Sequence, residues 1–220
     1  MRGSLSPAHC VRLAPLLAWC MSLVVGVPAA MAQTTPNFWS IQLDGGLFVP
    51  IEAHAASPIV GMRYAKHYNS HIRGGLLTGL TMDSRKLEAP ADGVQSRGSV
   101  ELAQIDTRLV SAMGFMQVDF TERFWLAPFV GIGAGYEWLT LDVKDHRTQQ
   151  ESSANYGNVA WETFAGIGLR LTSRVRVNGE LFYNGGSLER HVLDPFGGTS
   201  YEAVHVNGVG ARIGVDSVFE

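Results

Sequence analysis

The sequence predicts an all-β fold, a closed antiparallel eight-stranded up-and-down transmembrane barrel, and three observations carry that expectation. Apolar and polar residues alternate with period two in segments of about ten residues separated by turn-rich stretches. The connections between these segments are alternately tight and long. Beyond the N-terminal region, no apolar stretch approaches the roughly 18 residues that a spanning helix requires, so a membrane would be crossed by strands.

Residues 1–32 read as a cleaved signal peptide and residues 33–220 as the barrel domain. Arg2 and Arg12 flank a short basic region, and an apolar run free of acids follows from about Leu13 to Val27. Pro15 and Pro28 interrupt it, and Ala30-Met31-Ala32 supplies the small-x-small cleavage pattern, which makes Gln33 the expected first mature residue. A lipoprotein site at Cys20 is disfavoured by Trp19, which stands where such a site needs a small residue. Cleavage takes away two arginines and no acid, which moves the formal charge from −3 to −5. That balance argues against a nucleic-acid partner. Cys10 and Cys20 both leave with the leader, so the mature chain is expected to hold neither disulfide nor thiol chemistry.

Eight segments follow in order. The first, Trp39 to Phe48, sets Trp39, Ile41, Leu43 and Leu47 against Ser40, Gln42, Asp44 and Gly46. The second, Ile59 to His67, and the third, Ile72 to Met82, oppose apolar sets to Arg63 and Arg73 with glycines. The fourth, Ile105 to Val118, alternates less cleanly, which leaves both a bulge and a shifted phase open there. In the fifth, Leu126, Val130, Ile132, Ala134, Tyr136 and Trp138 share a face opposite Gly131, Gly133, Gly135 and Glu137. The sixth sets Val159, Trp161, Ala165, Ile167 and Leu169 against Glu162, Gly166, Gly168 and Arg170. The seventh opposes Val175, Val177, Leu181 and Tyr183 to Arg176, Asn178 and Glu180, and the eighth opposes Val209, Ala211, Ile213, Val215 and Phe219 to Gly208, Gly210, Arg212, Gly214 and Asp216.

Tight turns are expected at Asn69-Ser70, Thr121-Glu122-Arg123 and Thr172-Ser173, and long polar loops at Asp83 to Ser99, Lys144 to Gly157 and Gly186 to Glu202, with a shorter one from Val49 to Ser57. Short periplasmic turns and long external loops are the pattern of an outer-membrane barrel. A secreted lipocalin-type barrel has the same strand count but would line its cavity with the apolar face. Here that face carries Trp39, Trp125, Tyr136, Trp138, Trp161, Tyr183 and Phe219 near segment ends, where two interfacial girdles sit. Glycines crowd the other face, which suits a narrow interior.

Pro128-Phe129-Val130-Gly131-Ile132-Gly133-Ala134-Gly135-Tyr136 and Phe164-Ala165-Gly166-Ile167-Gly168-Leu169-Arg170 resemble central strands of the OmpA-type and opacity-type small outer-membrane barrels. The stretch Gly210 to Phe219 is similar to the closing-strand signal that the barrel-assembly machinery reads, with Glu220 after the Phe and Ser217 at a position that is commonly apolar. The resemblance implies residence in the outer membrane among lipid and lipopolysaccharide, and the assembly machinery as a partner during biogenesis. It does not imply a function.

On these phases Asp44, Asp106, Glu137, Glu162, Glu180 and Asp216 face inward with Arg63, Arg73, Arg108, Arg170, Arg176 and Arg212. An eight-stranded barrel is just wide enough for side chains to fill, and buried charges persist when paired, so this set is expected to plug the lumen. A charged lumen argues against a conduit for hydrophobic ligands. Some small outer-membrane barrels modify lipid A, and a resembling deacylase would need a His-x-Ser pair. His205-Val206-Asn207 and Glu189-Arg190-His191 lack that serine, and no catalytic, cofactor or metal site is expected among the scattered histidines. The expected role is non-enzymatic: envelope integrity, or contact with a surface ligand through external loops, with Leu188 to Phe196 as the contact patch. A lipid A-modifying enzyme and a narrow gated channel are the alternatives.

Overall fold

The computed structural model describes residues 38–51, 55–90, 99–120, 125–146, 148, 150–193 and 199–219. The proposed leader, the turn at Thr121-Glu122-Arg123 and residues 194–198 lie outside them. The strands are β1 (Trp39–Pro50), β2 (Ser57–His67), β3 (Ile72–Pro90), β4 (Ser99–Asp119), β5 (Leu126–Asp145), β6 (Gln150–Arg170), β7 (Val175–Leu193), β8 (Thr199–His205) and β9 (Gly208–Phe219). Every neighbouring pair is antiparallel, β1 pairs with both β2 and β9, and β6 at the far end of the order pairs with β7, so the sheet closes on itself with no open edge at that level.

Strands β8 and β9 are two halves of one eighth stave. Both pair with β7 in one unbroken register, Asn184↔Gly208 on one side of the interruption and Ser187↔His205 on the other. At the break, the Asn207 side-chain carbonyl accepts the Gly186 N–H at 3.0 Å, and the Val206 N–H donates to Gly186 O at 3.1 Å. Buried backbone groups at the interruption are thus satisfied without a ladder.

Register also sets the shape of the barrel. Pairs followed once around the wall run from Trp39 through Lys66, Gly74, Met116, Ile132, Thr163, Tyr183 and Val209 to Val49, a stagger of ten residues along β1. With eight staves, that stagger tilts the strands by about 40°. The 12 residues of β1 then span about 30 Å along the axis, enough for the hydrocarbon layer.

At the lower rim, where β1 begins and β9 ends, the β2–β3 and β6–β7 turns are tight and self-capped. Asn69 Oδ1 accepts the backbone N–H groups of His71 and Ile72 at 2.8 and 2.7 Å. Thr172 Oγ1 does the same for Arg174 and Val175 at 3.2 and 3.0 Å. Short polar side chains that bond to the backbone a few residues on are what such turns require.

At the upper rim the structure departs from the sequence reading. Most of the residues expected as three long loops are paired strand: Leu87↔Ala103, Asp145↔Gln150 and Leu193↔Thr199 continue the ladders of β3–β4, β5–β6 and β7–β8. An irregularity does fall in β4, but above the expected segment: Leu87 pairs with Ala103 and Glu88 with Glu101, which leaves residue 102 as the extra one on β4. The 20 residues of β5 overshoot the 12 of β1 by about 20 Å along the axis. Polar residues on both faces hid the period-two signal there, and pairing with a neighbour supplies the order that burial does not.

Candidate functional site: the barrel interior and the upper rim

Outward and inward positions differ in what they present to their surroundings. The outward face exposes large apolar side chains all around the wall, including Ile213 at 70% and Leu181 at 69%, with Val60, Leu76, Val110, Ile132, Val159 and Val215. Water would oppose such a band, and a lipid layer covers it. Trp39 and Phe219 are paired at the lower end of the band, with Trp125 exposed near the same rim. Tyr136, Trp138, Trp161 and Tyr183 mark its upper end; Tyr136 lies 4.8 Å from Trp138 and Trp161 5.4 Å from Tyr183 between ring centroids. Tyr64, which stacks on Trp39 at 5.0 Å, and the exposed Tyr68 and Phe120 join the lower group and were missed in the sequence.

Trp161 also lies over its cross-strand partner Gly185, so close that a β-carbon there would come within 2.6 Å of the indole. The ring shields backbone that a glycine leaves bare. Trp161→Ala is expected to lower unfolding free energy by about 1 kcal/mol, read from urea titration in lipid vesicles.

Inside, the lowest layer is a square of two arginines and two aspartates. Arg73 reaches Asp216 at 2.5 Å and Asp119 at 3.7 Å, and Arg176 reaches the same acids at 3.1 and 3.2 Å. An amide layer follows: Gln117 donates to Asp119 at 2.9 Å, and Asn178 donates to Gln42, which in turn donates to Asp44 at 3.4 Å. Higher up, Arg63 makes a two-pronged contact with Glu180. Arg212 bonds Glu180 at 2.7 Å and Glu162 at 2.6 Å, with Asp44 at 3.9 Å. Pairing of this kind lets charges persist out of water.

Of the twelve residues expected in the lumen, the structure brings together Asp44, Arg63, Arg73, Glu162, Arg176, Glu180, Arg212 and Asp216. Glu137 is inward and 2% exposed, away from these contacts and bonded by Asn184 at 3.0 Å. Asp106 and Arg108 stand on the outward phase of β4, alternating with the inward Leu109, Met113 and Phe115. Both faces of that strand are apolar, so its polarity carries no phase, and an assignment one residue off reverses every side chain. Arg170 follows the inward phase but is exposed at the lower rim.

Asp119 was missed through the same error. With Asp119 added and Arg170 at the exposed rim, four arginines face six carboxylates among the described residues in the wall from Asp119 up to Glu137, where the sequence suggested a balance.

The lumen is also more apolar than its sequence pattern suggested. Phe48, Phe115, Phe129, Phe164 and Phe182 are all buried on the inward face. The Arg63 guanidinium lies 4.3 Å from the Phe164 ring and Arg212 4.1 Å from Phe182, so the rings pack against the charges as cation–π partners. Above them Leu139, Tyr156, Leu188 and Val206 form a packed cluster with Leu141, Ala154 and Val204. Leu188, expected in an exposed contact loop, is fully buried there. Tyr201 on β8 remains exposed.

No family model matches the chain, and no curated protein matches it. Solved structures do, at the level of fold. Neisserial surface protein A aligns at a TM-score of 0.54 and 12% identity over 82% of this chain and 96% of its own. A major outer membrane protein from Thermus thermophilus aligns at 0.55 and 11% identity over 84% of this chain and 100% of its own. OprG from Pseudomonas aeruginosa aligns at 0.52 and 13% identity, covering 84% and 96%. With the lipid-facing outer surface and the closed eight-stave wall, this likeness makes the chain a barrel of the outer membrane with the fold of the small eight-stranded outer-membrane proteins.

Proposed function

We propose that this protein is a non-enzymatic outer-membrane barrel whose upper hairpins do its work, supporting the envelope or making surface contacts outside the cell. The observation that carries this reading is the overshoot: β3 to β8 continue as paired, ordered strands well past the upper aromatic group. A structure that served only to anchor itself would not need them. The fold likeness to a Neisserial surface protein supports the same reading. So does the interior, where aromatic packing and paired charges occupy the space that a wide pore would need.

In this reading the signal peptide of residues 1–32 directs export, and the barrel-assembly machinery folds residues 33–220 into the membrane. The outward aromatic groups sit at the two interfaces, and the ionic layers close the lumen.

Cutting the β5–β6 hairpin back to Thr140 and Asn155, joined by an Asn-Gly turn, tests the role of the overshoot. These two residues face each other, and Thr140 Oγ1 donates to Asn155 at 2.9 Å, so a short turn fits between them. The shortened protein is expected to keep the mobility shift between unboiled and boiled gel samples while cells lose adhesion or resistance to detergent. Unchanged adhesion and detergent resistance would sink the proposal.

A further inference from the structure

We propose that Glu137 and Asn184 hold a small monovalent cation inside the upper third of the barrel. From Asp119 up to Glu137 the lumen carries two more carboxylates than arginines among the described residues, and Glu137 is where the surplus is least compensated. Every arginine of the central cluster is engaged elsewhere: Arg63 by Glu180, and Arg212 by Glu180 and Glu162. Glu137 receives one hydrogen bond, from the Asn184 amide to Oε1. Its Oε2 is fully buried with no partner, and so is Asn184 Oδ1.

Both residues line one cavity of about 20 Å³ together with Thr81, Ser111, Phe48 and Phe182. That is room for one water-sized occupant. Besides the amide nitrogen already spent on Glu137, the polar atoms of these lining side chains are all oxygens: a carboxylate and an amide carbonyl with buried unpartnered atoms, and the hydroxyls of Thr81 and Ser111. Oxygen donors select hard cations over soft ones. A single uncommitted carboxylate matches one positive charge. Leu139, Tyr156, Leu188 and Val206 pack above the site, which keeps the carboxylate from bulk water and makes an unpaired negative charge costly. Glu162 also lines the cavity but is held by Arg212.

The test uses the protein refolded in detergent, with Glu137→Gln as the variant and sodium as the probe. The midpoint of the heat-induced gel-mobility change is measured in sodium chloride and in choline chloride at equal ionic strength, choline being too large for the cavity. Wild type is expected to unfold several degrees higher in sodium, by about 3–6 °C for a tenfold excess over its dissociation constant. Glu137→Gln removes the charge and is expected to give one midpoint in both salts. Equal wild-type midpoints would mean that the carboxyl takes a proton or a water instead and would overturn the site. An equal salt difference retained in Glu137→Gln would place the sodium elsewhere and overturn it as well.

Discussion

Arg63→Met is expected to lower the unfolding free energy of the barrel by about 3–5 kcal/mol, while Arg63→Met with Glu180→Met returns it to within about 1 kcal/mol of wild type. The single change leaves Glu180, Glu162 and Asp44 around one guanidinium, that of Arg212, in a space closed by Phe115, Phe164 and Phe182. Uncompensated charge in a low-dielectric interior is the source of the loss, more than the missing attraction. The double variant removes one charge of each sign and leaves Arg212 on Glu162 and Asp44. Urea titration followed by tryptophan fluorescence checks both. A double variant less stable than the single one would show that the pair contributes net attraction, against the view that its chief role is mutual neutralisation.

The second large effect concerns backbone approach. Gly75→Ala is expected to abolish refolding or cost several kcal/mol, because a β-carbon at residue 75 would stand 1.9 Å from the Tyr64 carbonyl oxygen and 2.8 Å from Ala65 Cα. Those are backbone atoms of the neighbouring strand, so no side-chain rotation relieves the clash, and β2 and β3 would have to separate. Gly179→Ala is the control: nothing lies within 4 Å of its β-carbon position, and a change within about 0.5 kcal/mol is expected. Fractional refolding on unboiled gels reads both. Equal behaviour of the two variants would refute the close-approach account.

Gly75 also shows why part of the interior was legible from residues alone and part was not. Small residues alternating with charges on one face mark a cramped inside, and β5, β6, β7 and β9 could be phased from that contrast. In β4 the contrast is missing: Leu109, Met113 and Phe115 point inward while Val110, Ala112 and Met116 point outward, all apolar. Asp106 and Arg108 alone suggested a phase there, and it was the wrong one. Only the ladder to β3 and β5, which places Gln117 opposite Arg73 and Gly131, sets which way the strand faces. The place of Asp119 follows from that one assignment, and the surplus of carboxylates follows from it together with the exposure of Arg170 at the rim.

The upper hairpins divide in the same way. Their sequences are polar on both sides, so period two fades and they read as loops, yet each strand is held by its neighbour's backbone. Leu188 and Tyr156 could not be recognised as core from local pattern, because what buries them arrives from other staves.

By itself, the sequence determined the number of membrane-crossing staves, the tight turns capped by Asn69 and Thr172, and the aromatic and glycine faces, because each depends on residues near one another along the chain. The tertiary structure decided the stagger of ten residues, the phase of β4, the height of the hairpins and the partners of each lumen charge. Those depend on register between strands, and Arg63 meets Glu180 only once the barrel has closed.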